Sequence, residues 1–126
     1  MGKRIAMIAL LVLVLGGALL QSLYIGSTTD DLLGGLDAIK TALDIGDTPA
    51  SIKAADTFCD RWNKEKKMYE TLFEHDEVDI ISATAKSIQS YCVSGDTAHA
   101  LADIAAVRYY IDHIRELDRL AWKNIF

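Results

Sequence analysis

Three groups of side chains in this 126-residue sequence could do chemistry: the run Glu74-His75-Asp76-Glu77 with Asp79, the cysteines Cys59 and Cys92, and the further histidines His99 and His113. Imidazole beside carboxylates suits a hard metal or a general base. The same run has a simpler reading as a helix start, with Asp76 as N-cap and Glu77 and Asp79 in a first turn whose dipole favours negative charge. His99 and His113 are 14 positions apart on one expected helix, about 21 Å, and cannot share a site. There is no Cys-x-x-Cys, glycine-rich phosphate loop, Gly-x-Ser-x-Gly or His-Glu-x-x-His. The residues therefore favour a protein that is not an enzyme and holds neither a cofactor nor a metal. A metal-dependent enzyme built on residues 75–79 ranks last.

The cysteines fall on the apolar stripes of two consecutive expected helices joined by a turn centred between His75 and Asp76. About that centre, residues whose numbers sum to 151 lie at one height, and 59 and 92 do. A disulfide closing a 34-residue loop would restrict the unfolded chain by about 4 kcal/mol in the entropic model. The alternative is a pair of reduced thiols used as small hydrophobes. Trp62, Tyr69 and Phe73 form an aromatic ridge, with Tyr110 on another helix. Such ridges are usually core, but a ligand pocket between the helices lined by Trp62, Tyr69 and Tyr110 is the second functional reading.

The elements that must position these residues read as helices throughout. Leu32, Leu36, Ile39 and Leu43 keep the three-and-four spacing of an amphipathic helix up to Gly46. After Asp47-Thr48-Pro49, Ile52, Ala55, Cys59, Trp62, Lys66, Tyr69 and Phe73 continue it, with Lys66 the one break. Val78, Ile81, Ala85, Ile88 and Cys92 form a third stripe closed by Gly95, and Ile104, Val107, Ile111 and Ile114 a fourth. Slid by 49 positions, Gly46-Asp47-Thr48 falls on Gly95-Asp96-Thr97 and the flanking stripes coincide. The expected fold is all-α: an N-terminal transmembrane helix, then an antiparallel up-and-down four-helix bundle made of hairpins 30–74 and 77–122.

Ile5 to Ile25 carries no charge, and 21 residues rising 1.5 Å each give about 31 Å, enough to span a bilayer. Lys3 and Arg4 precede this run and the next charges are Asp30 and Asp31, so residues 1–25 read as a single-pass anchor with a cytoplasmic start. Residues 26–126 then form an extracytoplasmic domain at the cell membrane. Neither Tyr24-Ile25-Gly26 nor Ile25-Gly26-Ser27 suits cleavage by a signal peptidase. Apart from Lys3 and Arg4, the chain has 11 basic against 18 acidic residues, a net charge of −7 that disfavours nucleic acid. With the helices alternating in direction, residues 74–77 and the ending Trp122-Lys123-Asn124-Ile125-Phe126 should face the membrane and both Gly-Asp-Thr turns point away.

The basic start, the lone anchor, the Gly-Asp turn before a Trp-bearing helix, Glu74-His75-Asp76-Glu77-Val78-Asp79-Ile80, Ile111-Asp112-His113-Ile114 and the ending Trp122 to Phe126 together resemble the uncharacterised bacterial family known as domain of unknown function 4363. The resemblance covers nearly the whole chain and implies a small single-anchor protein of the bacterial cell envelope. It implies as partner a multi-pass membrane protein, and it attaches no activity. The two cysteines depart from that family's pattern.

The leading expectation is thus a non-catalytic, membrane-tethered interaction module. Its interface would be His75, Asp76, Glu77, Trp122, Lys123 and Phe126, docking on a membrane partner or lipid, with homo-oligomerisation left open.

Overall fold

The computed structural model describes residues 1–125, so Phe126, one of the expected interface residues, lies outside the described residues. Four helices account for nearly all of them: α1 (Gly2–Asp44), α2 (Thr48–Leu72), α3 (His75–Ser94) and α4 (Thr97–Ile125). The main pairings, α1 with α2, α2 with α3, α3 with α4 and α4 with α1, close a ring around one core. Neighbours run antiparallel: paired residues sum to 144 or 145 between α2 and α3 (Trp62–Ser82, Cys59–Ala85, Asp56–Gln89), and Glu77–His113 and Tyr91–His99 both sum to 190 between α3 and α4. The fold is the up-and-down four-helix bundle expected from the stripes.

α1 is one unbroken 43-residue helix. Its N-terminal part is long and apolar enough to cross a membrane and is not covered by the bundle, whereas Ile25, Leu32, Leu36 and Ile39 are fully buried in the core. The apolar run and the bundle therefore overlap. Ser22 Oγ donates to Asp118 Oδ2 at 2.8 Å, and the Tyr24 hydroxyl donates to Glu65. We call the end of the bundle next to the apolar segment proximal and the opposite end distal.

The 49-residue repeat is structural. Buried Leu32, Leu36 and Ile39 are matched by buried Ile81, Ala85 and Ile88, and Ser51, Ala55, Phe58 and Trp62 by Ala100, Ile104, Val107 and Ile111. Both distal turns use a glycine at φ 75°, Gly46 and Gly95, a conformation that L side chains rarely adopt. In each, the next N–H closes a wide turn, from Asp47 to Ala42 O and from Asp96 to Tyr91 O, both 2.9 Å. Each aspartate then caps the following helix, Asp47 accepting from Ala50 N (3.1 Å) and Asp96 from His99 N (3.2 Å). The Asp96 carboxyl is held below its usual range chiefly by its hydrogen bond with the His99 side chain.

Three sequence expectations need correction. Phe58 and Ser51 are core residues, while Ile52 and Phe73 of the expected stripe are only half-buried; the buried face of α2 is wider than one stripe. The proximal turn is Phe73–Glu74, with α3 starting at His75, so Asp76 is a first-turn residue and the N-cap position belongs to Glu74, which makes no side-chain cap bond. That turn is centred two residues earlier than expected, which accounts for most of the fall in the α2–α3 register sum from 151 to 144–145. Consequently Cys59 lies level with Ala85, and Cys92 level with residue 52 or 53, about 10 Å away along the helix axis; both cysteines are buried free thiols. Across the bundle, Arg108 and Arg115 of α4 pair with Asp37 and Asp30 of α1, as Arg61 of α2 pairs with Asp31 at 2.8 Å.

Candidate functional site

A cavity of about 600 Å³ opens at the proximal end, lined by Gln21, Leu72, Phe73, Glu74, Glu77, His113, Leu117, Asp118 and Ala121. Three sequence features build it. α2 stops at Leu72, and Phe73 takes an extended backbone (φ −130°, ψ 172°) that turns its ring across the bundle end. That ring stacks on Tyr69 at 5.9 Å, which in turn packs on Trp62 at 5.5 Å, so an aromatic ladder runs from the core to the cavity wall. On the opposite wall, His113, Leu117 and Ala121 follow the i, i+4 spacing of one α4 face.

The polar part is acidic. Glu77 Oε1 pairs with His113 Nδ1 at 3.0 Å, Asp118 accepts from Ser22, and Glu74 is exposed at the turn. Carboxylates from α3, α4 and the turn thus converge on a site flanked by Phe73 and Leu117, suited to a partner bringing positive charge beside an apolar group. Among the described residues no three His, Cys, Asp or Glu side chains stand together as a metal site.

Of the residues singled out in the sequence, Glu77 lines the cavity; His75 and Asp76 are exposed beside it on the first turn of α3. Trp122 is half-buried and Lys123 exposed on the last described turns of α4. His113 and Phe73 were singled out in the sequence, but as a lone histidine and a ridge residue, not as parts of this cavity; Gln21, Leu117 and Asp118 were not anticipated. The signal for one of them was available: a distal turn at Gly95 makes residues summing to 190 level, which pairs Glu77 with His113.

Elsewhere the reactive groups are sequestered. Trp62 and Tyr69 fill the core, with Tyr110 packed against it; the Trp62 Nε1–H donates to Ser82 Oγ at 2.8 Å, and the Tyr69 hydroxyl meets Thr28 Oγ1 at 2.5 Å. Cys59 Sγ donates to Ala85 O at 3.4 Å, and burial pushes its thiol up to about 11. Burial also raises the Cys92 thiol, against a smaller opposing effect of its hydrogen bond with Ser51. Thiols held protonated in this way are poor nucleophiles.

Comparison with curated proteins and with solved structures gave no match. The family described as Domain of unknown function (DUF4363) matches residues 19–125, a stretch holding the end of the apolar run, the whole bundle and every residue of the proximal cavity. On that match the chain belongs to the DUF4363 family.

Proposed function

We propose that this protein is a non-catalytic interaction module of the bacterial cell envelope, tethered by the apolar part of α1 as a single-pass anchor, with the bundle outside the cytoplasm. Its proximal end docks on a membrane partner, for which a multi-pass protein with a basic loop at the outer surface is the candidate. One observation carries this reading: the acidic cavity opens at the end of the bundle next to the anchor, where a membrane protein's loops would reach it. The ring Glu74, Glu77 and Asp118 supplies charge complementarity, and Phe73 and Leu117 supply apolar contact. His75 and Asp76 border the docking face.

A photo-crosslinking amino acid at His75, exposed and next to the cavity, should give one discrete adduct in native membranes, whereas the same probe at exposed Pro49, at the distal start of α2, should not. Glu74→Lys should abolish that adduct without changing helicity. Equal labelling from both ends, or an adduct indifferent to Glu74→Lys, would refute the reading.

A further inference from the structure

We infer that the last turns of α4, from Arg119 to Asn124, form a membrane-interfacial element lying against α1 at the level of the lipid headgroups and upper acyl chains. This rests on reading the apolar part of α1 as a membrane span. The Ser22–Asp118 hydrogen bond fixes α4 against α1. Because the two helices are antiparallel, every α4 residue after Asp118 lies on the anchor side of that bond. Six residues to Asn124 carry the helix about 9 Å further down. On α1, the residues beside this stretch belong to the apolar run. Between residues 1 and 21 only Leu15 and Ala18 are partly covered, and both lie on the face that continues downward from Ser22.

The polar partners of α1 fix where the bilayer boundary crosses. Setting it above Ile25 would place the carboxylates of Asp118 and Glu65, bonded to Ser22 and Tyr24, inside hydrocarbon, which is unfavourable. Setting it at Gln21–Ser22 leaves Ile5–Leu20 below, 16 residues or about 24 Å. That is a short span, which flanking Lys3 and Arg4 accommodate by reaching to the opposite headgroups. The α4 end then sits just beneath the boundary, and its composition suits that depth. Leu120 is 45% exposed. Trp122 is half-buried, and Arg119 and Lys123 are exposed one turn apart. The acids of α4 stop at Asp118. Indole among headgroups and basic side chains reaching phosphates are the features of an interfacial helix. The occupant of this surface is lipid.

The chain has two tryptophans, which makes the test direct. Trp62, level with Asp31 and its partner Arg61, stands about 14 Å above the boundary, inside the core. The full chain is reconstituted in phosphatidylcholine vesicles whose acyl chains are brominated near the headgroup, and tryptophan emission is compared with that in unbrominated vesicles, with aqueous iodide as a second quencher. Bromine should remove part of the emission while iodide removes little. Trp122→Phe should abolish the bromine-sensitive part, and Trp62→Phe should make nearly all remaining emission bromine-sensitive, so a folding failure in one variant leaves the other to decide. Emission quenched by iodide but not by bromine would put Trp122 in water and overturn the inference. Emission quenched by neither would put a protein surface over it and overturn the inference equally. Co-flotation of the chain with the vesicles reports anchoring separately, and the His75 crosslink reports docking, so neither reading falls with this one.

Discussion

Two adjacent glycines in α1 allow the packing of the bundle to be tested against helix propensity alone. Gly34 and Gly35 sit mid-helix, and replacing either with alanine should gain about 1 kcal/mol from backbone entropy. Their surroundings differ. A Cβ on Gly34 meets nothing within 4 Å, whereas one on Gly35 would stand 3.1 Å from Phe58 Cδ2. Carbon atoms prefer about 3.5–4.0 Å, so the Phe58 ring, 2% exposed in a filled core, must shift. Overpacking of this kind costs about 1–3 kcal/mol. Gly34→Ala should therefore stabilise by about 1 kcal/mol, which for a domain of this size raises Tm by about 5 °C. Gly35→Ala should be neutral or destabilising by up to about 2 kcal/mol, the sum of the same gain and the overpacking cost. Thermal unfolding of the full chain in nonionic detergent, followed by circular dichroism, reads both. In a Phe58→Leu background the penalty of Gly35→Ala should shrink, because the ring edge it meets is gone. Gly35→Ala stabilising as much as Gly34→Ala, or a penalty unchanged without the ring, would refute the close approach of α1 and α2 at this point.

Tyr69→Phe removes the hydroxyl that meets Thr28 Oγ1 at 2.5 Å in a buried setting; urea titration should show a loss of about 1 kcal/mol, and Thr28→Val should largely absorb that effect in the double variant. The two thiols should resist alkylation in the native protein at pH 8 and both react after denaturation, with intact mass identical with and without reductant before labelling. Because burial raises the Cys59 pKa from 9.0 to about 11, its contribution to stability should be complete below pH 9 and lost as pH rises through about 11. The urea midpoint of Cys59→Ala should then depend less on pH across that window.

Much of the fold was legible because apolar spacing and turn chemistry agree. Gly46-Asp47 and Gly95-Asp96 each combine a left-handed glycine with a capping carboxylate, and both distal turns fall where those residues stand. The proximal turn lacks such a signal. Glu74 makes no side-chain cap bond although the helix begins at His75, so the stronger capping residue Asp76 was a misleading marker. A shift of two residues there moved the α2–α3 register and took Cys59 away from the level of Cys92. The α4 arginines show the same limit: spacing along a helix suggests local pairs, but Arg108 and Arg115 bond to α1, a choice that only the packing of α4 on α1 decides. The cavity was half legible, since Glu77 follows from the sequence and His113 from the turn at Gly95, while Gln21 joins it only through the overlap of the apolar run with the bundle and Phe73 only through the extended backbone that ends α2.

That overlap also fixes how the bundle is carried. Gly26, where α1 passes from the apolar run into the core, would be a natural hinge, since glycine lowers helix stability by about 1 kcal/mol. Yet the segment around it is tied to two other helices: Ser22 to Asp118 of α4, Tyr24 to Glu65 and Thr28 to Tyr69 of α2, with Arg115 of α4 reaching Asp30. Thr28 and Thr29 additionally bond back to the carbonyls of Tyr24 and Ile25 at 2.9 and 2.7 Å. Bending at Gly26 would break several of these bonds at about 1 kcal/mol each and expose Ile25, which outweighs the weakness the glycine introduces. The proximal cavity is therefore held at a set height and rotation relative to the apolar segment. On the proposed reading, a partner meets a preoriented docking face, and recognition does not carry the entropic cost of a swinging domain.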